Sequence, residues 1–351
     1  MPDRFNHPDL INCTSALFHR AGLDAPIAAC VAEILVEADL LGYATHGLQF
    51  VPAYISGIER GQTATSGEPE ILNDHGGVVL MDGQRLPGQW VVTRALDLAF
   101  ARLDQHPVVC VAIRGSENIS CLATYVKRAA LQGYMAILTT STPGNAAVAP
   151  FGGRVARYST NPMAIGVPTD GTPILIDTSM SSTTNRLIEK TRRTGERLPE
   201  KWLIDNQGHR TDDPEAFYTD PPGAIAPAGG PDLGHKGFAF AILVEALTSG
   251  LAGAGRANPD GAPGSNLFLQ VIDPSAFGGA DAFMRETGFF SELCRDTPPL
   301  SPDAPVRMPG DRALALYERQ SRDGVDLHPE IMARMRPLLE KYDVDEPAPV
   351  G

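Results

Sequence analysis

No CxxC pair occurs among the five cysteines, Cys13, Cys30, Cys110, Cys121 and Cys294. An odd, scattered set argues against a disulfide framework and against a structural zinc site; it fits a reducing, cytoplasmic setting. No metal site is expected. Long apolar runs are also missing: none approaches the ~20 residues that a membrane helix needs. The polar stretch Met1–His7 lacks the apolar centre of a secretory signal. Positive charge is in short supply, with Lys+Arg 29 against Asp+Glu 42 and a formal net charge of −13. That balance argues against nucleic acid or an anionic membrane as partner and leaves a small molecule as the expected ligand. The usual chemical fingerprints are absent too. No GxGxxG follows a strand, and there is no GxxxxGK[ST], HExxH, GxSxG or EF-hand loop.

What the chain does have is a large core and a clear change of texture. Its 351 residues, 43% apolar, allow one large α/β unit or two packed domains. Gly 35 and Pro 30 call for many tight turns. Apolar spacing predicts helices over 8–22, 25–41 and 48–60, with Asp24 capping the second and Gly42–Gly47 interrupting before the third. From residue 76 short β-rich runs alternate with helices. Strands are expected at 78–81, 108–113, 135–138, 164–167, 174–176 and 267–272, and helices at 90–104, 120–132 and 238–251. Residues 190–234, rich in charge, Gly and Pro, read as a long surface excursion. The tail, 311–341, is helical again. The expected organisation is a helical domain built from 1–75 plus 308–351 and a central α/β domain over 76–307.

Several segments carry a resemblance. They are Gly42-Tyr-Ala-Thr-His-Gly47, Ala149-Pro-Phe-Gly-Gly153, Ser159-Thr-Asn-Pro162 and Ile176-Asp-Thr-Ser-Met-Ser181. Leu198-Pro-Glu-Lys-Trp202 through Asp213-Pro214, Gly234-His-Lys-Gly237 and Met308-Pro-Gly-Asp311 complete the set. In this order and spacing the chain resembles the malate/L-lactate dehydrogenase-like family of NAD(P)-dependent oxidoreductases, over about residues 8–342. The resemblance implies a non-Rossmann α/β fold, with the helical domain packed on a central mixed-sheet NAD(P)-binding domain. It also implies NAD(P)H as cofactor, a homodimer, and hydride transfer to a 2-oxo acid or a cyclic imino acid.

The resemblance assigns proton donation to His46. Imidazole is the natural group for giving a proton to a carbonyl oxygen or imine nitrogen as hydride reaches carbon. Thr45 stands where the family has a supporting serine. Cofactor contacts are implied for Asn118, Ile119, Ser120, Thr160, Asp177, Thr178 and Ser179. Others are implied for His235 and Lys236, beside a glycine turn at a helix start, and for Pro309, Gly310 and Asp311. Phe50, Met180 and Ser181 fall at substrate positions.

The chain departs from the family pattern at three of its polar positions. Phe50 replaces an arginine that clamps a substrate carboxylate in many relatives. Asn118 replaces a histidine and cannot shuttle a proton at neutral pH. Arg186-Leu187 replaces a GK or GD pair, which suggests that an anchor is lost. The alternative expectation is therefore a degenerate or specialised member that binds cofactor with an unusual, less anionic substrate.

Overall fold

The computed structural model of the chain describes residues 4–258 and 264–350. A two-residue strand, β1 (Arg4–Phe5), leads into α1 (His7–Arg20) and α2 (Ala25–Leu40). A 3-10 turn at Leu48–Phe50 then runs into α3 (Val51–Glu59). α2 is apolar nearly all round and correspondingly buried, from Ile27 to Leu40. Pro26 sits in its first turn, but Asp24 makes no side-chain cap; its N–H bonds Thr65 O instead.

The alternating region follows as expected, with β2 (Glu70–Asp74) and, further along, α8 (Ala280–Arg295) as elements that periodicity did not reveal. It comprises β3 (Val78–Asp82), α4 (Gly88–Arg102), β4 (Val108–Ser116), α5 (Ala123–Leu131), β5 (Met135–Ser141), β6 (Met163–Val167) and β7 (Ile174–Thr178). The supposed surface excursion has structure of its own. α6 (Asn185–Thr194) packs beside a small sheet of β8 (Leu203–Ile204), β9 (Arg210–Thr211) and β10 (Ala224–Ile225). Val148, Tyr158, Ile188, Leu198, Leu203 and Ile225 form a second apolar core there.

α7 (Gly230–Glu245) starts two turns earlier than the sequence suggests and continues into a π-helical turn at Ala246–Gly250. Its glycines read as breakers, yet Gly237 is a packing residue: a Cβ there would lie 2.4 Å from Ala228 O. β11 (Ser265–Ile272) returns to the middle of the sheet, giving the order β2-β3-β4-β11-β5-β6-β7. β3 and β4 run parallel across α4, and every other neighbouring pair is antiparallel. The central sheet is mixed, as expected, and needs no glycine-rich phosphate loop.

After α8 (Ala280–Arg295) the tail divides at Gly324 into α9 (Asp311–Asp323) and α10 (Pro329–Tyr342), with β12 (Val325–Asp326) between them. β1 pairs with β12 on one side and with β13 (Pro349–Val350) on the other, joining the two chain ends. One continuous core runs from Phe18 and Leu35 through Val109 and Leu138 to Met335 and Leu339. The 3-10 turn between α2 and α3 packs against α2 and α10.

Candidate active site

The loop carrying His46 is built on a buried carboxylate. α2 ends, Gly42 turns the chain at φ +82, and His46 N–H closes a turn onto Tyr43 O at 2.7 Å. Asp39, 4% exposed, then accepts from Leu48 N–H at 2.7 Å, organising the 3-10 turn that follows. Gly47 passes so close that a Cβ there would lie 2.2 Å from Asp39 Oδ2. Burial pushes the Asp39 carboxyl up to about 7.

His46 Nδ1 lies 2.9 Å from Thr45 Oγ1. A hydroxyl donates or accepts, so Thr45 serves either imidazole tautomer. Burial first, and the nearby Arg186 charge second, lower the His46 pKa to about 4. The ring is therefore neutral at pH 7 and poised to accept a proton. Its backbone carbonyl accepts a hydrogen bond from Ser120 Oγ, and Phe50 packs edge-on at a centroid distance of 5.9 Å.

The facing wall comes from the loop after β4. Asn118 Oδ1 accepts from Tyr54 Oη at 2.7 Å and from Ser120 N–H at 2.9 Å, and Gln89 Nε2 donates to Tyr54 Oη at 3.0 Å. This chain of bonds fixes the carboxamide and leaves its NH2 end without a partner among the described residues. Ser120 adopts φ +64, the left-handed region that favours glycine. Asp177, at the end of β7, accepts from Ala123 N–H at 3.0 Å and from the Cys121 thiol at 3.7 Å. One of its oxygens is thus spent on the start of α5. Burial raises its pKa to about 6.

These walls enclose a cavity of about 650 Å³, within the ~300–1,000 Å³ of small-molecule sites. Thr45, His46 and Phe50 line it, with Asn118, Ile119 and Ser120 opposite. Thr160, Asp177, Thr178 and Ser179 close the side formed by the sheet. Met180 and Ser181 do not reach it; both are buried, Met180 in the second core. His235 and Lys236 lie on the exposed face of α7, inside the helix rather than at its start, where free N–H groups would be. Pro309, Gly310 and Asp311 are not in the lining of this cavity and form a corner tied to β7 and α8. Pro309 O accepts from Leu175 N–H at 3.0 Å, and Asp311 pairs with Arg295 at 2.7 Å.

Sequence reasoning missed Arg186, and with it the hydroxyls of Thr140, Thr142, Ser159 and Ser265 that line the same cavity. The replacement at 186–187 reads as a lost anchor because Leu187 has no polar group. Leu187 packs into the second core, and its neighbour Arg186 enters the cavity. A further cavity of about 400 Å³ shares Asn145, Asn185 and Phe217 with the first and adds Arg154. The two are neighbours, and the first is lined by hydroxyls and by the rings of Phe50, Phe217 and Tyr218. That arrangement fits a nicotinamide nucleotide, whose ribose hydroxyls and carboxamide need such partners.

A neutral, half-buried histidine beside a hydroxyl-lined cavity, on a mixed sheet with no glycine-rich phosphate loop, suits an oxidoreductase that holds a nicotinamide nucleotide without a Rossmann fold. The family model for malate/L-lactate dehydrogenase matches residues 5–336, and the chain belongs to that family. It is 32% identical over 330 residues to an L-lactate dehydrogenase of Cupriavidus necator, covering 92% of this chain and 93% of that protein. Its structure superposes on malate dehydrogenase from Entamoeba histolytica with a TM-score of 0.93 at 24% identity, covering 99% and 100% of the two chains. It superposes on delta1-piperideine-2-carboxylate reductase from Pseudomonas syringae with a TM-score of 0.84 at 26% identity, covering 95% and 99%. Among the described residues no helix is long and apolar enough to cross a membrane.

Proposed function

We propose that the chain transfers hydride between a nicotinamide nucleotide and a 2-hydroxy acid or its 2-oxo counterpart, with His46 moving the hydroxyl proton. The observation that carries this reading is the neutral imidazole lining the cavity, held at Nδ1 by Thr45. In oxidation His46 accepts the proton of the substrate hydroxyl; in reduction, the protonated ring returns it. The nucleotide supplies the hydride chemistry. The protein's own part is to orient the substrate, exclude water and hold that proton. Thr45 keeps the ring in place as its charge changes, and Ser120 holds the backbone behind it. The hydroxyls of Thr160, Thr178 and Ser179, and the remaining oxygen of Asp177, are suited to ribose. The Asn118 NH2 is suited to a carbonyl oxygen of ligand or cofactor.

The test is His46→Ala, assayed with NAD+ and NADP+ against lactate, malate and sulfolactate. Turnover falls by about 100-fold or more while nucleotide binding is retained. Unchanged turnover refutes the role. A cyclic imino acid is the second substrate class, supported by the likeness to the piperideine-carboxylate reductase. The same assay run with NADPH and cyclic imines separates the two.

A homodimer is supported by exposed apolar side chains on two helices. Phe240, Ile242 and Leu243 on α7, and Phe289, Phe290 and Leu293 on α8, lie between 44% and 67% exposed. Such surface is characteristic of a covered face. Sedimentation at micromolar concentration reads the mass directly, and a monomer removes the proposal.

A further inference from the structure

Two departures from the family pattern meet in this structure. Phe50 stands where many relatives carry arginine, and Arg186 stands where they carry the glycine of a GK or GD pair. The Arg186 Cζ lies 4.8 Å from the centre of the Phe50 ring, and both side chains line the cavity with His46. Arg186 is the only Lys or Arg among the described residues lining that cavity.

Its hydrogen bonding is half used. Nη1 donates to Glu189 Oε2 at 2.9 Å, while Nε and Nη2 have no partner among the described residues. Those two nitrogens form the side-on edge of a guanidinium, the edge that matches both oxygens of a carboxylate. Phe50 is itself stacked on Tyr54, with a centroid distance of 5.4 Å and planes 12° apart, so the surface under the guanidinium is fixed. Arg186 also sits in the first turn of α6, whose N-cap Thr184 accepts from Leu187 N–H. A cation is disfavoured at a helix N-terminus, and an anion bound there is favoured.

We infer that Arg186 is the substrate carboxylate anchor of this chain, taking one carboxylate of a 2-hydroxy or 2-oxo acid on its Nε–Nη2 edge, with Phe50 as the platform that orients it. The anchor has moved from the helix after His46 to the start of α6, and the substrate is therefore anionic. A bound carboxylate also adds to Glu189 in offsetting the Arg186 charge that faces His46, which makes the imidazole more basic once substrate is present.

This inference rests on the hydroxy-acid reading above, and its test separates the two. The full chain is titrated with oxamate, an unreactive 2-oxo acid mimic, in the presence of NADH or NADPH. It is also assayed for oxidation of lactate and malate. Arg186→Gln weakens oxamate binding and raises the hydroxy-acid KM by about 30- to 100-fold, the loss of a charge-assisted bidentate contact. The nucleotide KM stays within twofold. Arg186→Lys recovers only part, because a point charge lacks the fork, and it serves as the reporter if the Gln variant does not fold. In the NMR titration of the His46 ring, oxamate raises the midpoint in the wild type, and Arg186→Gln raises it without any ligand while Arg186→Lys does not, a charge effect that simple loss of packing does not produce. Oxamate binding within threefold of wild type in Arg186→Gln overturns the anchor, as does failure of the wild type to bind oxamate. Arg186-dependent oxamate binding without turnover of any hydroxy acid leaves the anchor standing and overturns the hydride-transfer reading.

Discussion

Asp39 makes the support beneath His46 measurable. Its carboxyl is fully enclosed at the end of α2, and burial raises its pKa from 3.8 to about 7, the bond from Leu48 N–H pulling weakly the other way. A carboxyl whose folded pKa is raised favours the native state while it is protonated. That contribution is complete below about pH 3.8 and is lost as pH climbs through about 7. Between pH 5 and pH 8 the wild type therefore gives up about 2–3 kcal/mol at this one site. For a chain of this length that is roughly 3–4 °C of Tm. Asparagine mimics the protonated acid, and its carboxamide oxygen still accepts from Leu48 N–H. Asp39→Asn should therefore gain on the wild type by that amount across the same pH range, with activity at pH 6 within about threefold. Thermal melts of both proteins from pH 5 to pH 8 are the assay. Parallel curves refute the reasoning, because they mean that Asp39 ionises no differently in the folded and unfolded chain.

Two further outcomes concern the His46 loop. With its pKa lowered to about 4, His46 is already a base at pH 5, so kcat/KM for hydroxy-acid oxidation rises only below about pH 5 on its account. Reduction, which needs the protonated ring, weakens as pH rises from there; an oxidation limb centred at 6.5 or above shows that burial and Arg186 do not act on the ring. Ser120→Gly relieves a left-handed backbone at φ +64 and removes the hydroxyl that holds the His46 carbonyl. The two effects, each about 1 kcal/mol, offset in stability, while kcat falls several-fold; an unchanged kcat removes Ser120 from the support of the loop.

The fold was legible where residue patterning is local and strong. The apolar faces of α1, α2 and α4 and the buried runs of β4 and β11 need no tertiary information to be recognised. β2 was not legible because Glu70–Asp74 is exposed along its whole length, so no alternation marks it. The start of α7 was hidden for the opposite reason. Its glycines signal a turn locally, and only the packing of Gly237 against Ala228 explains why they lie inside a helix.

The site divides along the same line. Segments around 46, 118–120, 160 and 177–179 carry enough of a shared pattern to be found from the chain alone, and the structure gathers them at one cavity. What a one-dimensional pattern cannot carry is which of two adjacent residues faces inward. On α6, residues 186 and 187 differ by about 100° of rotation around the helix axis. That rotation sends Leu187 into the second core and Arg186 over Phe50. Read as a list of replacements, positions 50 and 187 look like two anchors lost to apolar residues, which implies a less anionic substrate. Read in three dimensions, the arginine has changed its place of attachment and the ring at 50 supports it. Beside the carboxylates of Asp177 and Glu189, the cavity keeps one cation with an open edge, one neutral imidazole and a hydroxyl-lined wall, and the last three are the groups needed to hold an anion and move a proton beside it.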